Sequence, residues 1–155
     1  MDIKEIRQVL EKCELFKGLK ETDIEKIANI CRVATYNAGE YVFRQGDIGE
    51  HIHIIAEGHV FLERSIDLGT RKGNVVISML GSGRAFGCWS TLLGEPHDLM
   101  SSARSKKSAK IIVISGAGLR HILLKDFEFG FKVMEKICLL LRDRIQGAWG
   151  TMERI

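Results

Sequence analysis

Glycine punctuates the middle of this chain. At positions 39, 46, 49, 58, 69, 73, 81, 83, 87 and 94 it cuts residues 33–115 into short segments. Those segments are rich in β-branched and aromatic residues: Tyr41 to Phe43, His51 to Ala56, His59 to Arg64, Val75 to Leu80, Met100 to Ala103 and Ile111 to Ile114. Each reads as a strand bounded by turns. Parallel strands need a crossover of roughly a dozen residues, usually helical, and no helical pattern intervenes here. The segments therefore predict an antiparallel sandwich or barrel of the jelly-roll kind, a β-roll.

Helical periods flank the roll on both sides. Residues 2–13 place Ile3, Ile6, Val9 and Leu10 on one face, and a second helix carries Ile24, Ile27, Ala28 and Cys31 at helical spacing, with Thr22 or Asp23 as its expected N-cap. After Ile114 the period returns in Ala117 to Leu124 and then from about Asp126 to the C-terminus. In that last segment Phe127, Phe131, Met134, Cys138, Leu141, Ile145, Ala148 and Met152 step by alternating fours and threes, a heptad seam. A second stripe of Val133, Ile137 and Leu140 widens the apolar face of its first half. The wide half is expected to pack on its own roll and the narrow seam, through Phe131, Met134, Cys138, Leu141 and Ile145, on the same helix of a second copy. The alternative is a helix absorbed whole by its own domain. The expected organisation is one domain over 1–155: N-terminal helices at 1–32, β-roll at 33–115, C-terminal helices at 116–155.

A chain of 155 residues buries about 70% of its unfolded surface, enough for one sizeable core. The run without a charge from Gly73 to Gly83 is about half of what a membrane span requires. The N-terminus MDIKEIRQVLEKCELF lacks the basic start, apolar middle and cleavage site of a secretory signal. A soluble cytoplasmic location is expected, without membrane association. Cys13, Cys31, Cys88 and Cys138 show no CxxC or CxxxC spacing, which excludes a locally encoded zinc knuckle or redox pair and fits free thiols in a reducing compartment. A net charge of +3 is too even for a dedicated nucleic-acid or anionic-membrane binder. The cluster Arg104, Lys106, Lys107 and Lys110, interrupted by serines, reads as a solvated turn.

Four motifs in order carry a resemblance. Leu15-Phe16-Lys17-Gly18-Leu19 is similar to an opening L-F-x-x-L, and Ala38-Gly39-Glu40-Tyr41-Val42-Phe43-Arg44-Gln45-Gly46-Asp47 to a-G-e-x-l-f-x-q-G-d. Gly58 falls in an i-x-x-G-x-v strand pair, and Leu80-Gly81-Ser82-Gly83-Arg84-Ala85-Phe86-Gly87 matches l-x-x-G-x-x-F-G. Together they resemble the cyclic nucleotide-binding domain family, the sensor half of catabolite-activator transcription factors and a regulatory module of kinases and channels. The resemblance runs from residue 14 to 145 and implies a helix-flanked β-roll with a sensing role.

The phosphate-binding cassette of that family follows F-G. A cyclic phosphate needs a cation with a fixed donor fork and backbone N–H groups on a short helix or turn, and a ribose hydroxyl donates best to a nearby carboxylate. The resemblance implies F-G-E and then P-R-A-A-T/S. Here the stretch is Phe86-Gly87-Cys88-Trp89-Ser90-Thr91-Leu92-Leu93-Gly94-Glu95-Pro96-His97-Asp98-Leu99-Met100-Ser101-Ser102-Ala103. Cys88 stands for the glutamate, His97 for the arginine, and Asp98 adds an anion whose repulsion of a phosphate is on the order of 4 kcal/mol at about 4 Å. Trp89-Ser90-Thr91-Leu92 and Ser101-Ser102-Ala103 are closer to a bacterial branch of the family, F-G-W-S-a-L ending t-a-S-A, which generally lacks the glutamate–arginine pair. The expected ligand-binding residues are Phe86, Gly87, Cys88, Trp89, Ser90, His97, Asp98, Ser101 and Ser102. Cyclic nucleotide binding should be weak or altered, and a different small anion is possible as ligand.

Competing chemistries are thinner. His51-x-His53-x-x-x-Glu57 resembles the metal strand of a cupin, itself a β-roll, yet the second half of that motif is missing; two strand histidines without a metal are the plainer reading, and His59 and His121 have no ligand-like neighbours. Ser90, Ser101 and Ser102 lack a nucleophile elbow, and Gly81-x-Gly83 reads as a β-turn. Trp89 is a core anchor or a lid on a ligand base; Arg104 is a solvated residue or a substitute phosphate cation. No catalytic residue, metal or resident cofactor is expected. In transcription-factor relatives a helix-turn-helix follows the long helix, whereas this sequence stops at Ile155, so output is expected through a protein partner rather than DNA. The function expected is a non-enzymatic, homodimeric ligand sensor; the alternatives are a cupin-like metal enzyme and an interaction subunit whose pocket its own side chains fill.

Overall fold

A computed structural model describes residues 1–67, 69–95 and 97–152, with side chains as far as residue 150. Helix α1 (Ile3–Lys12) opens on a capping box: Glu5 N–H donates to Asp2 Oδ1 and Asp2 N–H to Glu5 Oε2, each at 2.8 Å. Ile6 and Leu10 are buried, but Ile3 is half exposed. Helix α2 (Glu21–Ala28) corrects the expected cap, because Lys20 is its N-cap and no side chain accepts there. Thr22 and Asp23 lie inside the first turn instead, where the buried Asp23 carboxylate meets the positive end of the helix dipole and Lys26 at 3.5 Å. Cys31 is off that helix. Its thiol donates to Ile27 O at 3.1 Å, and its backbone begins the first strand.

Among the described residues ten strands follow, with one short helix among them: β1 (Cys31–Tyr36), β2 (Tyr41–Phe43), β3 (Ile48–Gly49), β4 (His51–Glu57), β5 (Val60–Asp67), β6 (Lys72–Leu80), β7 (Ala85–Gly87), a 3-10 helix (Trp89–Leu93), β8 (His97–Asp98), β9 (Ser102–Ser105) and β10 (Ala109–Ser115). They pair antiparallel in the orders β1-β10-β4-β7, β2-β9-β5-β6 and β3-β8, the roll that the glycine pattern predicts. The segment expected at Met100 to Ala103 starts later, since Met100 is 73% exposed and β9 begins at Ser102. Gly81 O accepts from Arg84 N–H at 3.2 Å, which closes the expected turn.

The core has two compartments because β4 and β10 are apolar on both faces. Ile52, Ile54, Ile112 and Ile114 face the helices, packing with Leu10, Phe16, Ile27, Leu119 and Val133. Ile55, Ile111 and Val113 face into the roll with Val60, Leu80, Phe86 and Ala103. Such two-sided burial explains the unbroken Ile-Ile-Val-Ile run of β10.

Helix α3 (Gly116–Lys125) is capped by Ser115, whose Oγ accepts from Gly118 N–H at 3.1 Å. Helix α4 (Phe127–Met152) then runs across the roll. Phe129, Val133, Ile137 and Leu140 are buried on the domain itself. Phe127, Phe131, Cys138 and Ile145 point outward, while Met134 and Leu141 are half buried against the helix-side core. The outward seam thus exists, with two of its expected members shared by the domain. The Met152 side chain lies outside the described residues. Among the described residues no helix is long and apolar enough to cross a membrane.

Candidate functional site

The cassette begins where β7 leaves the edge of the first sheet. Gly87 has φ +125°, and a Cβ there would sit 2.5 Å from His51 O and 2.9 Å from His53 Nδ1. Only glycine lets β7 come this close to β4. Cys88 N–H then donates to His51 O at 3.1 Å, and the 3-10 helix carries Trp89 to Leu93 before Gly94, at φ +78°, ends it. The loop returns by pairing β8 with β3, His97 opposite Gly49 and Asp98 opposite Ile48. Gly46 N–H to Leu99 O and Leu99 N–H to Asp47 O, both 2.8 Å, continue that closure.

Cys88, in the glutamate's position, turns inward. It is buried, its Sγ lies 3.2 Å from Ser90 Oγ and donates to His97 O at 3.8 Å. A Cβ on Gly49 would overlap Cys88 Cβ, so the thiol is packed beneath bare backbone. The His97 and Asp98 side chains are both exposed. Pro96 lies outside the described residues. Ser101 and Ser102 are half buried; Ser102 Oγ accepts Gln45 N–H at 2.9 Å, and Gln45 Oε1 accepts Ser65 N–H at 2.9 Å. Trp89 is half buried against the helix-side core, the geometry of an anchor.

Inside the roll, His53 stacks on Phe86 with centroids 5.1 Å apart and is tilted 5.5 Å from Phe43. Its Nδ1 has no hydrogen-bond partner, and burial, helped by His51 and Arg32, pushes its pKa from 6.5 down to about 3. The imidazole is neutral. His51 lies 6.3 Å away ring to ring, while Glu57 is paired with Lys110 at 3.1 Å. No group of three or more His, Cys, Asp or Glu among the described residues is placed to hold a metal ion.

Arg104 corrects the solvated-turn reading. It lies in β9, and both its Nε, at 3.0 Å, and its Nη2 donate to one oxygen of buried Glu63, which raises the arginine's pKa. Lys106 lies over Phe61 at 5.7 Å. Three further contacts were hidden from the sequence. Thr91 is buried and its Oγ1 donates to Glu50 O at 3.5 Å; a Cβ on Gly116 would come within 2.6 Å of Thr91 Cβ; and Arg120 Nη1 donates to Leu92 O at 2.6 Å. The 3-10 helix is thereby seated on the start of α3.

The fold is thus a β-roll flanked by helices, with a glycine-bounded helical loop at one sheet edge. A cyclic nucleotide-binding domain model matches residues 33–126, and the chain belongs to that family. A cyclic nucleotide-gated channel beta-3 from Canis lupus familiaris is 26% identical over 147 residues, 94% of this chain and 18% of its own. A cAMP-dependent protein kinase regulatory subunit from Eremothecium gossypii is 26% identical over 114 residues, 74% of this chain and 23% of its own. The chain thus spans about a fifth of the length of these relatives. Among solved structures, a cyclic nucleotide-binding domain from Methylobacillus flagellatus superposes with TM-score 0.80 at 20% identity, covering 98% of this chain and 83% of that one. Thermus thermophilus catabolite activator protein gives 0.73 at 24%, covering 90% and 62%. These likenesses carry the fold.

Proposed function

We propose that this chain is a non-enzymatic, cytoplasmic sensing module that binds cyclic nucleotides weakly, or takes another small anion, and works as a homodimer through α4 to inform a protein partner. The observation that supports it best is the fate of the cassette's two charged positions. Cys88 spends its thiol on Ser90 and His97 O, and the exposed position that resembles the arginine holds His97 beside Asp98. Arg104 and Arg120 are committed to Glu63 and Leu92 O. A buried phosphate without a guanidinium fork loses the strongest contact available to it. Burial raises Cys13 to about 11 and Cys31 to about 12, leaving both as unreactive thiols.

Calorimetric titration with cAMP and cGMP tests this: dissociation constants should be weaker than about 10 μM, and sub-micromolar affinity, about 8 kcal/mol of binding energy, refutes it. The packed rings of Phe43, His53 and Phe86 favour a second reading, in which the roll's own rings fill the pocket and the chain is an interaction subunit. A thermal-shift screen with nucleotides and small anions separates the two, because any ligand of the native state raises the melting temperature.

A further inference from the structure

The outward face of α4 is symmetric along its length. Phe127, Phe131, Ile145 and Trp149 are 79, 69, 51 and 62% exposed, and Cys138 is exposed between them. At 3.6 residues per turn these five fall within about 40° of one another. Their spacings of four, seven, seven and four residues read the same in both directions about Cys138.

We infer that α4 pairs antiparallel with a second copy about a two-fold at Cys138 and seats the partner's Trp149 beside the cassette. This rests on the α4 dimer proposed above and fixes its direction. In an isologous contact, residues equidistant from the axis meet. Phe131 then faces Ile145 of the partner subunit, Phe127 faces Trp149 of the partner subunit, and Cys138 faces its own counterpart.

Charge supports the same direction. Glu135 and Arg142 are both exposed and flank the same edge of the stripe, and two of Arg142's N–H groups go to its neighbour Asp143. An antiparallel two-fold keeps that edge on one side of the pair and brings Glu135 within one residue, about 1.5 Å of helix rise, of the partner's Arg142, twice by symmetry. A parallel pair turns the edge onto the opposite flank, where Met134 and Leu141 lie.

The surface at the receiving end fits. An apolar depression of about 220 Å³, lined by Leu93, Leu124, Phe127, Phe131 and Met134 among others, opens where the partner's Ile145 and Trp149 arrive. Leu93 and Leu124 are 58 and 54% exposed there, and an indole brings roughly 150–250 Å² of surface to bury. Leu92 and Leu93 belong to the cassette's 3-10 helix. The end of one subunit's α4 thus rests on the cassette of the other.

Directed cross-linking of the full chain tests it in a Cys138→Ser background. Phe131→Cys and Ile145→Cys chains, oxidised with diamide, should cross-link when mixed and not when alone. Cross-links within each single variant mean a parallel pair, which overturns this inference and leaves the dimer standing. Monomeric sedimentation of the parent overturns both. A dimer that never cross-links pairs through another surface and refutes the inference. As a check that leaves the apolar stripe intact, Glu135→Arg should weaken dimerisation about 5-fold and added Arg142→Glu should restore it; no rescue refutes the antiparallel register.

Discussion

Part of the acid sensitivity of this protein should come from a single residue, His53. His53 is 8% exposed, stacked on Phe86, and without a partner at Nδ1. Burial first, then the neighbouring His51 and Arg32, hold its pKa at about 3, against 6.5 in an open chain. Between those values the unfolded chain binds a proton that the folded chain refuses. The stability that His53 contributes is therefore full above pH 6.5 and falls as pH drops towards 3. At pH 5 the loss amounts to about 1.5 pH units of one proton, about 2 kcal/mol. Urea unfolding of the parent and of His53→Phe at pH 7.5 and 5.0 isolates this effect, because the carboxylates and the other imidazoles are common to both chains. The parent should lose about 2 kcal/mol more than the variant. Equal losses would mean that His53 is solvated or protonated in the native roll, and would refute the reasoning.

Two other substitutions probe the supports of the cassette. Gly116→Ala places a methyl group on Thr91 and should cost about 1–3 kcal/mol, with the loss appearing in thermal unfolding and as faster amide exchange across residues 88–94; unchanged exchange there would show that the 3-10 helix does not rest on α3. Glu14→Gln removes the anion that pairs with Arg84 at 3.1 Å and Arg144 at 2.8 Å, both partly exposed, and should cost about 2 kcal/mol, with faster exchange in α4 beyond Leu140; a silent variant would show that apolar contacts alone hold that end of the helix.

The legible parts of the fold are those set by local pattern. The β-branched run 111–114 and the glycine-bounded segment 41–43 mark strands where the structure has them, because burial and turn geometry act within a few residues. β3, β7 and β8 are two or three residues long and exist only through pairing with distant chain, so no period reveals them. Helix α4 shows both limits. Its outward seam follows heptad spacing, yet of Phe127, Phe129 and Phe131 only Phe129 is buried, a choice made by where α3 lies against Gly130. At the site, the F-G turn locates the cassette, but the inward turn of Cys88 depends on the missing side chain of Gly49. Arg104 reads as a solvated cation because its partner Glu63 is 41 residues away in the chain.

The cassette is held at its two ends by contacts of different stiffness. Upstream, the fully buried Ala85 donates its N–H to Glu14 Oε1 at 2.7 Å and accepts at its carbonyl from Arg144 Nη2 at 2.9 Å, tying β7 to α4 through side chains about one-fifth exposed. Such bonds tolerate a few tenths of an ångström of stretch, unlike atoms already at contact. Downstream, Gly87 lies against His51 O, Cys88 lies under Gly49, and Thr91 lies against Gly116. These are fits between atoms already at contact, where repulsion rises steeply with any approach. A push on the 3-10 helix is therefore not absorbed at Thr91 but carried into α3, to which Arg120 also binds it. The pull that reaches α4 passes through hydrogen bonds at Ala85 and is the softer of the two. Of the helices that follow the roll, α3 meets the cassette by direct contact at Thr91 and Arg120, and α4 is joined to β7 through the hydrogen bond from Arg144 to Ala85 O.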